Sequence, residues 1–302
     1  MTTWYEEAFR PGAKVIGKWK GRVYKVEKLL GAGANGRVYL VRRGKISYAL
    51  KVGLDALDHQ SEINALRALS KTSTSFKGYL IDVDDFSYEG QEIPFSVLKY
   101  IEGTTLSNYI QNRGKDWVYV VGSRFLQKLA ELHASGYVFG DIKPENIMLS
   151  GYGDVDLIDF GGVTIKGRAV KQFTELYDRG YWGCGDRVAE DSYDLFSFAV
   201  LILKALDERD RFAEFQQALP QNRGIDLLQS VIRENDRARQ IAPFLHKALQ
   251  GEFSSSKEAY QSWRGLILKT ENTSVERVKA SWLKVCFAAS LLLFGATLYV
   301  YW

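Results

Sequence analysis

This 302-residue chain has two cysteines, three histidines and, over one long stretch, almost no acid. Cys184 and Cys286 are too few to staple a fold of this size, and neither stands in a CxxC spacing. Their contexts differ so much that no disulfide is expected, which fits a reducing compartment. Three histidines exclude a His-rich metal centre. No internal repeat or low-complexity tract is present. The N-terminal WYEEAFRPG lacks the basic and apolar regions of a signal peptide, so none is expected. What remains is ordinary: 46% hydrophobic, 25% charged and 13% aromatic residues. That balance rules out long disorder, collagen-like repeats and coiled-coil rods. The length allows one large domain or two small ones.

The net charge of +4 hides an asymmetry. Twelve Lys or Arg lie between Arg10 and Lys51, where Glu27 is the only acid, so this segment carries +11. Residues 1–9 carry −2 and residues 52–302 carry −5. Three readings of the basic segment are open. It binds DNA non-specifically by counterion release, it is drawn to anionic lipid, or it is a solvated surface with Lys51 serving a phosphate ligand. Interleaved Trp4, Tyr5, Trp19 and Tyr24 could stack on bases or anchor the arm.

Residues 285–302, VCFAASLLLFGATLYVYW, contain no charge. As a helix they would span roughly 27 Å, close to a bilayer's hydrocarbon core. Trp282, Tyr299, Tyr301 and Trp302 stand at the two ends, where amphipathic aromatics favour the interface. Arg277, Lys279 and Lys284 flank the inner side and predict that residues 1–281 are cytoplasmic.

Along the chain, residues 1–21 read as an irregular arm. Short apolar runs with glycine turns over 22–52 predict an antiparallel meander. Ile63, Leu66 and Leu69 predict a helix over 61–70. Two strand-like runs follow, YLIDVDDFSY and FSVLKYI. Helical text begins after residue 104, a strand–loop–strand stretch covers 137–165, and 193–206 reads as a buried helix. The expectation is a two-lobed α+β protein, with lobes at 22–98 and 104–268, a polar juxtamembrane segment at 269–284 and an anchor at 285–302.

Four motifs stand in order. Gly31-Ala32-Gly33-Ala34-Asn35-Gly36-Arg37-Val38 fits G-x-G-x-x-G-x-V. Glycines let backbone N–H groups approach phosphates. A dinucleotide-type loop needs a helix next, but RVYLVRR reads as a strand, so this loop joins two strands. Ala49-Leu50-Lys51-Val52 follows on the next strand, with Glu62 as the nearest helical carboxylate for Lys51. Gly140-Asp141-Ile142-Lys143-Pro144-Glu145-Asn146 precedes Asp159-Phe160-Gly161. Phosphoryl transfer to a hydroxyl needs a held nucleophile, a proton acceptor and cations against the phosphate oxygens.

Together these resemble the Hanks-type protein kinases over residues 22–268. The resemblance implies a bilobal kinase fold, ATP and Mg²⁺ or Mn²⁺, and protein substrates. It makes Asp141 the base, Lys143 the γ-phosphate partner, and Asn146 and Asp159 the metal ligands. Lys51 would hold the α- and β-phosphates, paired with Glu62. Gly31, Ala32, Gly33, Gly36, Val38 and Ala49 would line the nucleotide. Leu98 resembles the gatekeeper, and the Lys99 and Ile101 backbones would bind adenine. Asp194 resembles the buried helix aspartate that braces the catalytic loop. Lys143, two positions after the aspartate, resembles serine/threonine rather than tyrosine kinases. The activation-region wording and apolar C-terminus resemble tail-anchored kinases of spore-forming bacilli. That implies action at the cytoplasmic membrane face, in sporulation, with DNA as a regulatory ligand and a dimer for autophosphorylation.

The departures matter too. Phe139-Gly140-Asp141 replaces H-R-D, so the usual phosphate-sensing arginine is missing. No A-P-E follows the D-F-G, and LQGEFSSSKEAYQSW lacks the arginine that would pair with it. Joint loss of both partners of a buried pair is tolerable where loss of one is not. It predicts a rebuilt substrate platform. Thr164 and Thr174 are the hydroxyls of the activation segment open to phosphorylation. The competing readings are a nucleotide-binding pseudokinase, a DNA-binding membrane tether with secondary kinase activity, and a small-molecule kinase.

Overall fold

The computed structural model describes residues 7–33, 36–53, 55–72, 75–276 and 281–301, with side chains to 268 and from 285, position 300 aside. The chain divides into a unit ending at Trp263 and a second from Arg264 to the C-terminus.

The first half of the first unit is a six-stranded antiparallel sheet. Its strands are β1 (Lys14–Ile16), β2 (Val23–Gly33), β3 (Gly36–Arg43), β4 (Ile46–Val52), β5 (Leu80–Tyr88) and β6 (Gln91–Lys99), in the order β1-β2-β3-β4-β6-β5. Alternation sends Val15, Tyr24, Val26, Val41, Leu50 and Val97 inward as its core. The arm expected over 1–21 is a working part of this lobe: it supplies β1, and Phe9 is buried and stacks on Tyr39. The β1–β2 turn is fastened to β5, because Asp84 accepts hydrogen bonds from the Trp19 and Lys20 amides and Asp82 from the Tyr24 hydroxyl.

Helix α1 (Ala56–Thr72) packs against β5 and brings Glu62 to Lys51 on β4. The Asp55 carboxylate caps it by accepting from the Leu57 and Asp58 amides. It buries His59, Glu62, Ile63, Leu66 and Leu69. The predicted helix is therefore present and longer than its apolar pattern.

The helical lobe contains β7 (Thr104–Thr105), α2 (Leu106–Arg113), α3 (Trp117–Ala134), β8 (Tyr137–Val138), β9 (Ile147–Ser150), β10 (Asp154–Leu157), β11 (Thr164–Ile165), α4 (Asp191–Leu206), α5 (Arg211–Gln217), α6 (Ile225–Glu234), α7 (Asp236–Gln240), α8 (Ala242–Gln250) and the start of α9 (Ser256–Glu276). The α4 helix is buried on every face from Tyr193 to Leu203, as its uniformly apolar sequence requires. Phe198 packs against Phe125 of α3 and edge-on against Trp263. These helices carry the β9–β10 hairpin and the antiparallel pair β8–β11, which bracket the catalytic text.

In the second unit α10 runs Ser281–Tyr301 and leaves Val285, Phe287, Leu291, Leu292, Leu293 and Phe294 exposed. Among the described residues no helix is long and apolar enough to cross a membrane. Arg277, Lys279 and Trp302 of the expected anchor lie outside the described residues, as do the Trp282 and Lys284 side chains. Trp4 and Tyr5 of the arm lie outside them too. Cys184 and Cys286 are both free thiols.

Candidate active site

The β2–β3 hairpin places Gly31 opposite Val38, Ala32 opposite Arg37 and Gly33 opposite Gly36; Ala34 and Asn35 lie outside the described residues. A Cβ on Gly31 or Gly33 would meet open space, so the backbone itself forms the surface there. Gly36 has φ +136°, and a Cβ there would strike the Val52 carbonyl. Only glycine brings β3 this close to the end of β4. Val38 then pairs with Lys51, and Leu40 with Ala49, so the glycine loop and the lysine strand share one register.

Lys51 is 4% exposed. Its ammonium lies 2.7 Å from Glu62 Oε2 and 2.8 Å from Asp159 Oδ1. The sequence-predicted pair with Glu62 is therefore formed. Burial works against the cation, but the two carboxylates outweigh it and hold the lysine above its ordinary pKa. For Asp159, burial favours the neutral acid, and Lys51 reverses that, leaving it below the usual carboxylate range. Glu62 also accepts from the Phe160 amide at 3.2 Å. Asp159 holds φ +59°, a left-handed backbone rare outside glycine.

The catalytic-loop text is braced from beneath. Asp194 is fully buried and accepts from the Phe139 amide at 2.7 Å and the Gly140 amide at 2.9 Å. His133 donates Nε2–H to the same carboxylate at 2.8 Å, while Ser256 donates to its Nδ1 at 2.6 Å. Asp141 sits above, with Lys143 Nζ at 2.6 Å and Asn146 Nδ2 bonded to its carbonyl at 2.9 Å. Thr174 donates to Asp141 Oδ1 at 2.8 Å. The hydroxyl open to phosphorylation on sequence grounds is thus engaged with the aspartate itself. Thr164 is 1% exposed and donates to the Gly162 carbonyl, so it is not the accessible hydroxyl the sequence suggested.

Gly140 explains the missing arginine. It has φ +83°, and a Cβ would lie 2.9 Å from the Gly162 carbonyl and 3.3 Å from Val170 Cγ1. The activation segment packs where the arginine side chain would begin. That segment fastens to itself. Gly167, Ala189 and Val170 exchange backbone hydrogen bonds with residues 187–189 and 168. Asp178, 1% exposed, takes Arg187 at 2.7 Å, the Tyr193 hydroxyl at 2.9 Å and the Gly180 and Tyr181 amides. Arg179 reaches the Asp186 carbonyl, Ser192 and, at 3.5 Å, Glu190. Sequence reasoning missed Asp178, His133 and the role of Thr174, because each acts through a partner remote in the chain.

The residues present fit a nucleotide with a divalent cation. Asp159 and Asn146 offer hard oxygen donors beside an open glycine backbone. Among the described residues no cluster of three or more His, Cys, Asp or Glu forms a metal cage. Two side-chain donors suffice for a cation whose remaining positions are filled by phosphate oxygens.

The protein kinase domain pattern matches residues 24–271. The serine/threonine-protein kinase YabT of Bacillus subtilis is 37% identical over 255 residues, covering 83% of this chain and 73% of that protein. A probable serine/threonine-protein kinase of Clostridium perfringens is 29% identical over 156 residues, 49% of this chain and 22% of that one. Protein kinase 3 of Dictyostelium discoideum is 32% identical over 146 residues, 46% of this chain and 16% of that one. These matches bear out the resemblance carried by the motifs.

Proposed function

The chain belongs to the protein kinase family and is a serine/threonine protein kinase, and from that premise we propose that it phosphorylates protein hydroxyls, its own included, at the cytoplasmic face of a membrane. The observation that carries the chemistry is the convergence of Asp141, Lys143, Asn146 and Thr174 opposite Lys51, Glu62 and Asp159. Asp141 holds the acceptor hydroxyl and takes its proton. Lys143 stands beside it to balance charge on the transferred phosphoryl. Lys51, fixed by Glu62, positions the nucleotide phosphates, and Gly31, Ala32, Gly33, Gly36, Val38 and Ala49 enclose it. The Lys99 and Ile101 backbones hold the adenine. Asn146 and Asp159 would hold the divalent cation, Mg²⁺ or Mn²⁺, which when bound would neutralise phosphate oxygens.

The test is incorporation of labelled γ-phosphate into the chain and a generic protein substrate. Wild type with Mg²⁺ is expected to label both, and Asp141→Asn neither. Wild type as silent as the mutant, with DNA and anionic vesicles supplied, sinks the catalytic reading.

The exposed apolar side chains of α10 support a tail anchor at 285–302. Flotation of the full chain with phosphatidylcholine vesicles checks it, and a chain that stays at the bottom of the gradient removes it. The basic N-lobe supports a polyanionic activator, DNA in the reading the resemblance implies; a role in sporulation rests on that resemblance alone. A gel shift that fails at low salt, or ignores salt, removes the DNA arm.

A further inference from the structure

Structure thins the basic segment. Lys18 faces Glu92 at 3.1 Å, Lys20 and Arg22 face Asp82 at 2.6 and 2.9 Å, and Arg42 faces Glu27 at 2.8 Å. Lys51 is consumed by the active site. Among the described residues Lys14 and Lys25 have no carboxylate partner, and they are direct cross-strand neighbours on the outer face of β1–β2. Arg42 lies next in the same row.

The next row toward the turn is apolar. Ile16 pairs with Val23 and the two are 51% and 43% exposed. Beyond them, in the turn, Trp19 is 70% exposed. Its indole N–H donates to Asp85 Oδ2 at 2.7 Å, which fixes the ring. The Lys18 ammonium lies 4.8 Å from the ring centroid. Asp82, Asp84 and Asp85 are all occupied by the turn's own donors.

We propose that this hairpin is a membrane-docking tip, with Trp19, Ile16 and Val23 entering the interfacial zone of an anionic bilayer and Lys14 and Lys25 meeting its headgroups. An indole with a satisfied N–H and two aliphatic side chains gain from leaving water at the interface. A collar of lysines behind them gains from anionic lipid. DNA offers phosphates to the lysines but nothing to Ile16 and Val23 on its outer surface, so the apolar tip favours the bilayer. The inference deepens the polyanion reading above and does not depend on the C-terminal anchor.

The experiment uses the full chain carrying a nitroxide at Ile16→Cys, with Cys184→Ser and Cys286→Ser. Vesicles are phosphatidylcholine with and without phosphatidylglycerol. Collision with oxygen is compared with collision with a water-soluble nickel complex. With phosphatidylglycerol the label is expected to favour oxygen, and with phosphatidylcholine alone to favour nickel. Lys14→Ala or Lys25→Ala should each lower the inserted-to-free ratio about fivefold, and Trp19→Ala should lower it too. Autophosphorylation without vesicles should be unchanged in each, since none touches the catalytic groups. A label that favours nickel on phosphatidylglycerol vesicles overturns the proposal. So does shielding that appears only with duplex DNA, or spin–spin broadening that marks pairing with a second copy. Flotation with phosphatidylcholine reports the anchor separately, so loss of the tether and loss of the tip are distinguishable.

Discussion

Thr174 illustrates how much one hydroxyl decides at the scale of a residue. Its bond to Asp141 ties the activation segment to the group that must hold the acceptor. Thr174→Ala should lower kcat about tenfold, the worth of one hydrogen bond to a charged group. Thr174→Ser should keep most activity, and steady-state kinetics checks both. His59 is a second case. It is 4% exposed on α1, and burial, then the nearby Lys51 charge, pull its imidazole down to about 4. The unfolded chain therefore takes up this proton first as pH falls. Stability from this group is complete above about pH 6.5 and is lost progressively toward pH 4. Thermal midpoints from pH 7 to 5 should fall less steeply in His59→Leu than in wild type. Equal slopes would mean that another group titrates. Motif residues were legible in the sequence because their chemistry is set by type and spacing. Thr174 and His59 were not, since a hydroxyl or an imidazole acquires its role only from what folds against it.

The activation segment carries the lesson at the scale of an element. Its missing arginine and missing A-P-E are visible in the sequence, and so is the inference of a rebuilt platform. The rebuilding itself is tertiary: Asp178 gathers Arg187, Tyr193 and two backbone amides, and Arg179 spans to Ser192. Asp178→Asn should destabilise the domain by about 3 kcal/mol, because it leaves buried donors and a guanidinium without their counter-charge. Urea denaturation reads this, and a change within error would show the hub to be dispensable. Gly140→Arg, which restores the family's usual residue, should lose activity rather than gain a phosphate switch. The positive φ and the Gly162 carbonyl leave no room for its Cβ. Kinase activity of this variant with and without phosphatase treatment checks the claim. Strands β2 to β6 and helix α1 were legible from alternation and helical spacing. The arm's contribution of β1 was not, because three residues carry too little period to mark a strand.

Across the whole molecule, Lys51 is the joint between lobes. It belongs to β4, its partner Glu62 to α1, and Asp159 to the helical lobe. Glu62→Gln should lower kcat/KM about a hundredfold, since removing one partner from a buried pair strands the other. ATP titrations at fixed substrate measure it, and a fall of less than threefold would mean that Asp159 alone positions Lys51. The charge split across the chain is likewise a whole-molecule property. Composition placed +11 in residues 10–51 with Glu27 already counted, and the fold then pairs Lys18 with Glu92, Lys20 and Arg22 with Asp82, and Arg42 with Glu27. The kinase family, the order of the four motifs and the position of an uncharged C-terminal run could all be read from the amino-acid string, because they depend on residue type and linear spacing. Which cations lack a carboxylate partner, which threonine meets Asp141 and why Gly140 must be glycine came from the fold. Each of those is a distance between groups far apart in the chain, and linear spacing carries no such distance until the backbone has folded.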